Sequence, residues 1–251
     1  MAENPYSTPE APLYGGGAAA PAPKPPSFLE QVMGVFTEPT ALFQKLRQAP
    51  SWVPAVISFC VLGILVTLVW GLKVDADAMM RPMLERNPNV SAAQIDTIID
   101  MQKKFIVPFG ILGAVIAPWV MAALMGFFYW LVGKGTAEGD SPSYEQALSA
   151  ASVPSLIGLV HGFLMIVMAL LRPVGGLTPE KLTPTSLGYF LPAEHPKAVA
   201  AFFALDIFAI ATWCLSYLAF RHLLRLKPAG AVICTFLLVL FQAGFKIIFA
   251  K

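Results

Sequence analysis

"FFALDIFAIATWCLSYLAFRHLLRLKPAG", residues Phe202–Gly230, is the stretch on which the fold turns. Most of it is as apolar as lipid tails, yet Asp206 stands near its start and the basic segment RHLLRLK (Arg221–Lys227) closes its long apolar run. In water such a run would need a large surrounding core. In a bilayer it is a crossing helix, a tight polar turn near Leu226 and the start of a second helix.

Composition favours the bilayer. Hydrophobic residues make up 57% of the chain and charged residues 13%, whereas a soluble domain carries about 25% charged residues. Mean hydropathy is +0.67, and the apolar residues are gathered into long runs. Crossing a hydrocarbon core about 30 Å thick takes roughly 20 helical residues. Five stretches satisfy that length: about 53–72, 105–132, 150–171, 201–222 and 228–249. The expected fold class is an all-α membrane protein with five transmembrane helices and an N-terminal interfacial amphipathic helix. The polar stretches are each shorter than about 50 residues, which leaves no room for a separate soluble enzyme domain. A net charge of +2 gives no electrostatic footprint for nucleic acid. Cys60, Cys214 and Cys234 fall inside the expected spans without a C-x-x-C pair, and read as small buried apolar residues.

Residues 1–26 are rich in Pro, Ala and Gly and lack the basic region and apolar core of a signal peptide. They are expected to form a disordered tail, with 27–251 as the membrane domain. From Ser27 the pattern becomes helical. At 100° per residue, Phe28, Leu29, Val32, Met33, Val35 and Phe36 share one side, and Ser27, Glu30, Gln31, Gly34 and Thr37 share the other. Pro39 ends this helix and opens a second one, which groups Leu42, Phe43, Leu46 and Ala49. With no soluble core to receive them, both helices belong in the headgroup region or against the bundle. Trp52 marks the water–lipid boundary before the first span.

The loop 73–104 balances its charges, and Ser91 with Gln94 forms a capping-box signature. The second span is therefore expected to begin as a helix outside the lipid, with Ile95, Ile98, Ile99 and Phe105 on one face and kinks at Pro108 and Pro118. Gly133-Lys134-Gly135 is no phosphate loop, because the upstream glycine, the following Ser/Thr and the preceding strand are missing. Gly158 and Gly162 flank His161 at a spacing that admits a close helix neighbour.

Intramembrane polar residues are few: His161, Asp206, Gln242 and Lys246. A charge at the bilayer centre costs about 2.5–3.5 kcal/mol on insertion scales. Folding the last two spans about Leu226 sets Asp206 opposite Lys246. Two arrangements follow: an interhelical ion pair, or Asp206 capping a helix while Lys246 snorkels to the headgroups. His161 is either a proton or headgroup ligand, or a neutral imidazole bonded to a facing carbonyl. No catalytic, metal or cofactor constellation is present in the sequence. This points to a non-enzymatic membrane scaffold that binds lipids, a membrane-protein partner or a second copy of itself. The alternative is a transporter or channel subunit whose path passes His161, Asp206, Gln242 and Lys246.

Four segments carry a family resemblance: FTEPTALFQKLRQAPSW (36–52), MLERNPNVSAAQIDTIIDMQKKF (83–105), SYEQALSAASVPSLIGLV (143–160), and FLPAEHP followed by FFALDIFAIATW (190–213). Together, and in this order, they resemble the bacterial branch of the Yip family, the Ypt/Rab-interacting-protein membrane domain. The resemblance covers about residues 27–249 and implies five spans with a cytoplasmic N-terminus, placed here in the cell inner membrane. Eukaryotic relatives bind prenylated GTPases or shape transport membranes, and this sequence shows no residues for a GTPase contact. The expected outer loops carry more Lys and Arg than the inner ones, against the usual bias. The N-terminus is set inside by the resemblance and the missing leader pattern.

Overall fold

The computed structural model describes residues 23–191 and 196–249. Residues 1–22 of the expected tail lie outside the described residues, as do the side chains of 245–249, Lys246 among them. Among the described residues the chain is all helix, with three isolated bridge pairs and no strand.

The chain enters through α1 (Phe28–Thr37), opened by a reciprocal capping box of Ser27 and Glu30. The Ser27 backbone N–H donates to Glu30 and holds its carboxyl below the usual carboxylate value. After Glu38 the chain turns into α2 (Pro39–Gln48), whose Leu42, Phe43 and Leu46 are buried. Gly34 lets the two helices close: a Cβ there would meet that of Leu42 at 3.0 Å.

Next come α3 (Val53–Gly71), α4 (Ala76–Glu85) and α5 (Ala92–Thr136). The capping box of Ser91 and Gln94 starts α5 well before its apolar stretch, as the sequence indicates. Its 45 residues run unbroken through Pro108 and Pro118, about 68 Å at 1.5 Å per residue. Ile95 and Ile99 are buried in its first turns, whereas Phe105 is exposed. A third rod joins α6 (Tyr144–Ser152), a 3-10 turn (Val153–Ile157) and α7 (Gly158–Leu171). By length and hydropathy, Val53–Gly71, Ala92–Thr136 and Tyr144–Leu171 can each cross a membrane.

The stretch 201–222, expected as a fourth span, is built from two helices, α8 (Pro196–Ala204) and α9 (Ile207–His222), parted at Leu205–Asp206. The reason is Asp206 itself: its carboxylate accepts the backbone N–H groups of Phe208 and Ala209 and so starts a new helix. The loop reinforces the break, with Ile207 N–H donating to the Thr185 carbonyl. The last helix, α10 (Pro228–Phe249), packs on α8 and α9.

The bundle has two polar ends. At one, Thr136 and Glu138 bond the Lys227 and Arg225 backbone, and Gln146 Nε2 donates to the Arg47 carbonyl at 2.8 Å. At the other, Trp70 Nε1 donates to the Leu177 carbonyl at 2.9 Å and Lys73 Nζ donates to the Ala169 carbonyl. The main core sits toward the first end, where Phe43, Tyr129 and Phe220 are almost fully buried. The Tyr129 and Phe220 rings meet edge to face at 4.6 Å. Between the ends, Val61, Leu65, Leu112, Ile116, Phe163 and Phe236 point outward. So broad an apolar exterior is what lipid solvates and water does not.

Candidate functional site

Asp206 is 5% exposed at the start of α9. Its Oδ1 caps the helix, 2.8 Å from Phe208 N, and the Thr185 hydroxyl donates to Oδ2. Thr185 Oγ1 lies 3.3 Å from Thr183 Oγ1, which is 3.0 Å from His161 Nε2 on α7. His161 Nδ1 stands 3.9 Å from Asp206 Oδ1, outside hydrogen-bond range. The imidazole stacks on Phe208, with centroids 5.1 Å apart and planes at 11°. A chain of two hydroxyls thus links His161 to Asp206, and it stitches α7, the Pro-rich loop and α9 together. Every polar atom of the buried carboxylate is used, which is how such a group is tolerated away from water.

His161 also borders a cavity of about 620 Å³ between α3, α5, α7 and α10. Its walls are mainly apolar, with small residues such as Gly63, Gly110, Ala114 and Gly162, and Thr67, Ser152, Ser155 and Gln242 are polar groups beside His161. The size is ordinary for a small-molecule site, about 300–1,000 Å³. Among the described residues no group of His, Cys, Asp and Glu is placed to hold a metal ion.

The structure brings His161 and Asp206 into one cluster. Gln242 borders the same cavity but accepts from Trp213 Nε1 at 2.8 Å. Lys246 lies on α10 with its side chain outside the described residues, so the expected pair with Asp206 does too. His161 Nε2 lies within hydrogen-bond range of the Thr183 hydroxyl. Thr183 and Thr185 escape sequence reasoning. They sit in the Pro-rich segment KLTPTS, which carries no periodicity to place them.

The expected interfacial residues divide. Leu29 is 69% exposed, Met33 54% and Phe36 49%, with Phe28 also exposed, while Val32 is half-buried. Gln31, assigned to the polar side, is fully buried: its Nε2 donates to the Pro26 carbonyl and to Ser51 Oγ. So α1 turns its glutamine toward the bundle and most of its bulky apolar side chains away. Trp52 is half-buried and packs edge-on against Trp119 of α5 at 5.7 Å.

A family model described as the Yip1 domain matches residues 33–248. No curated protein and no solved structure matches the chain.

Proposed function

The chain belongs to the Yip1 domain family, and from that premise we propose that it is a non-enzymatic membrane scaffold that engages lipids and membrane-protein partners. The fold proposed has five passes: α3, α5, the α6–α7 rod, the broken α8–α9 unit, and α10. In this arrangement α1 lies in the headgroup layer, with the N-terminus on the cytoplasmic side of a cell inner membrane. At 16 residues, α9 spans about 24 Å, so it needs α8 or the loop to complete a crossing.

The observation that carries this reading is the exposed apolar side of α1. Val35 enters the core beside the buried Gln31, and Phe28, Leu29, Met33 and Phe36 remain turned outward with nothing in the bundle to cover them. Headgroups and acyl chains are the solvent in which that orientation is stable.

Nitroxide labels at Leu29, Met33 and Phe36 of the reconstituted chain test it. Collisions with oxygen should exceed collisions with a water-soluble nickel complex, and a label at Glu30 should show the reverse. Water-like accessibility at all four positions would sink the interfacial helix. The 620 Å³ cavity with His161 and Gln242 supports the transporter alternative. Solute flux in proteoliposomes that falls with His161→Ala and Gln242→Leu would favour that second reading.

A further inference from the structure

The basic segment Arg221–Lys227 plays no part in the site above. It closes a polar cavity of about 720 Å³ at the opposite end of the bundle. The lining includes Arg47 from α2, Asp140 from the α5–α6 loop, Gln146 from α6, and Arg221 and Arg225 from the end of α9.

The three arginines are committed unequally. Arg221 pairs with Glu138 at 3.2 Å and donates to the Leu226 carbonyl. Among the described residues, neither Arg47 nor Arg225 is ion-paired to a carboxylate. Arg225 also sits at φ 52, the left-handed position after a helix that glycine normally fills. Its carbonyl accepts Glu138 N–H at 2.7 Å, so the turn is locked with an arginine in it. The fixed turn thus sets Arg225 at the wall of the polar cavity, on the same side as Arg47 and Arg221.

We propose that this cavity binds a phosphate group, held by Arg47 and Arg225 with Arg221 as the third cation. Guanidinium groups match phosphate oxygens in fork geometry, and Gln146 adds an amide. Asp140 and Glu138 offset part of the positive charge, which favours a single phosphate over a polyanion. The phosphate arrives on a lipid headgroup or free in water. The lipid source rests on the interfacial reading of α1, since that places this end at headgroup depth.

The test uses the full chain in phosphatidylcholine nanodiscs, alone, with phosphatidic acid, or with inorganic phosphate against chloride at equal ionic strength. Thermal unfolding and binding of water-soluble dihexanoyl phosphatidic acid are read. The variants are Arg47→Gln, Arg225→Asn, which suits left-handed backbone, and as control Lys134→Gln, whose ammonium lies over the Trp130 ring. Affinity should fall about fivefold for each cavity arginine removed and hold in the control. Stabilisation by phosphatidic acid alone assigns the site to lipid, and stabilisation by inorganic phosphate as well assigns it to any phosphate. No binding, or equal losses in all three variants, overturns the proposal. Native mass spectrometry of the unaltered chain needs no variant. A retained phosphatidic acid must be displaced by its dihexanoyl form and not by dihexanoyl phosphatidylcholine. Water-exposed labels on α1 in the same discs, with arginine-dependent binding intact, would sink the interfacial helix and leave the phosphate site standing.

Discussion

Trp213 donates its indole N–H to Gln242 Oε1 across 2.8 Å, a side-chain bond that joins α9 to α10 one turn before Lys246. Both groups are half-buried in an apolar setting, where each without the other would be a polar atom facing hydrocarbon. Interhelical bonds of this kind in membranes contribute about 0.6 kcal/mol on average and up to about 1.7. A double-mutant cycle of Trp213→Phe and Gln242→Leu, read by unfolding in mixed micelles, should give a coupling of about 0.5–1.5 kcal/mol. Additivity within about 0.3 kcal/mol would mean that the bond adds nothing to the hairpin.

Asp206 separates two kinds of support. As a helix cap it should tolerate Asn, which keeps an accepting oxygen, and suffer from Ala. Asp206→Ala loses a cap of about 1 kcal/mol and leaves Thr185 without its acceptor, a further cost of about 1 kcal/mol or more. We expect a loss of about 2 kcal/mol for Ala and less than half of that for Asn, measured by thermal unfolding in detergent. Equal losses for the two variants would show that charge holds this residue, and Lys246 would then be the first partner to test.

Helix limits were largely legible because they depend on local chemistry: Ser91 with Gln94, and Pro39 at a helix start. Hydropathy located three rods, since a long apolar run has one outcome in lipid. The division of 201–222 was legible only as one of two alternatives, Asp206 as a helix cap, and hydropathy alone ran the span through it. Hydropathy sums over a window, whereas one carboxylate with two backbone donors is enough to restart a helix. The burial of Gln31 was hidden for a related reason. A helical wheel separates polar from apolar sides but does not say which residues of either side meet the bundle, and here Gln31 and Val35 both do. Thr183 and Thr185 reach Asp206 only through the path of an irregular loop, which residue spacing does not encode.

The two glycines beside His161 should respond differently. A Cβ on Gly162 would come within 2.3 Å of Leu62 Cδ2 and 2.8 Å of its Cγ, so either the Leu62 side chain must shift or α3 and α7 must part. A Cβ on Gly158 would meet only Phe59, at an ordinary 3.8 Å. Gly162→Ala should therefore destabilise by about 1–3 kcal/mol, and Gly158→Ala should be neutral or mildly stabilising. Thermal unfolding of the two variants side by side checks this, and equal effects would show that Leu62 simply moves aside.

Acid should release α4 from α5. Arg81 Nη2 lies 2.7 Å from Asp77 Oδ1 and 2.8 Å from Asp96 Oδ1, bridging the two helices outside the spans. The hydrogen bonds from Arg81 hold the Asp77 carboxyl below its usual value, and the same partners push the Arg81 guanidinium up. A depressed carboxyl stabilises the fold fully above its unfolded value of about 3.9. That contribution fades as pH falls through the lower, folded value. Distances between spin labels on α4 and α5 should thus stay narrow at neutral pH and broaden below about pH 4. Asp96→Asn, which removes the α5 partner of Arg81, should broaden them at every pH, whereas Asp77→Asn, within α4, should weaken the acid response without itself cutting the link between the helices. Because the groups are partly exposed, added salt should weaken the bridge at neutral pH. A distance that stays narrow through both acid and salt would assign the docking of α4 to apolar contacts such as those of Ile95 and Ile99.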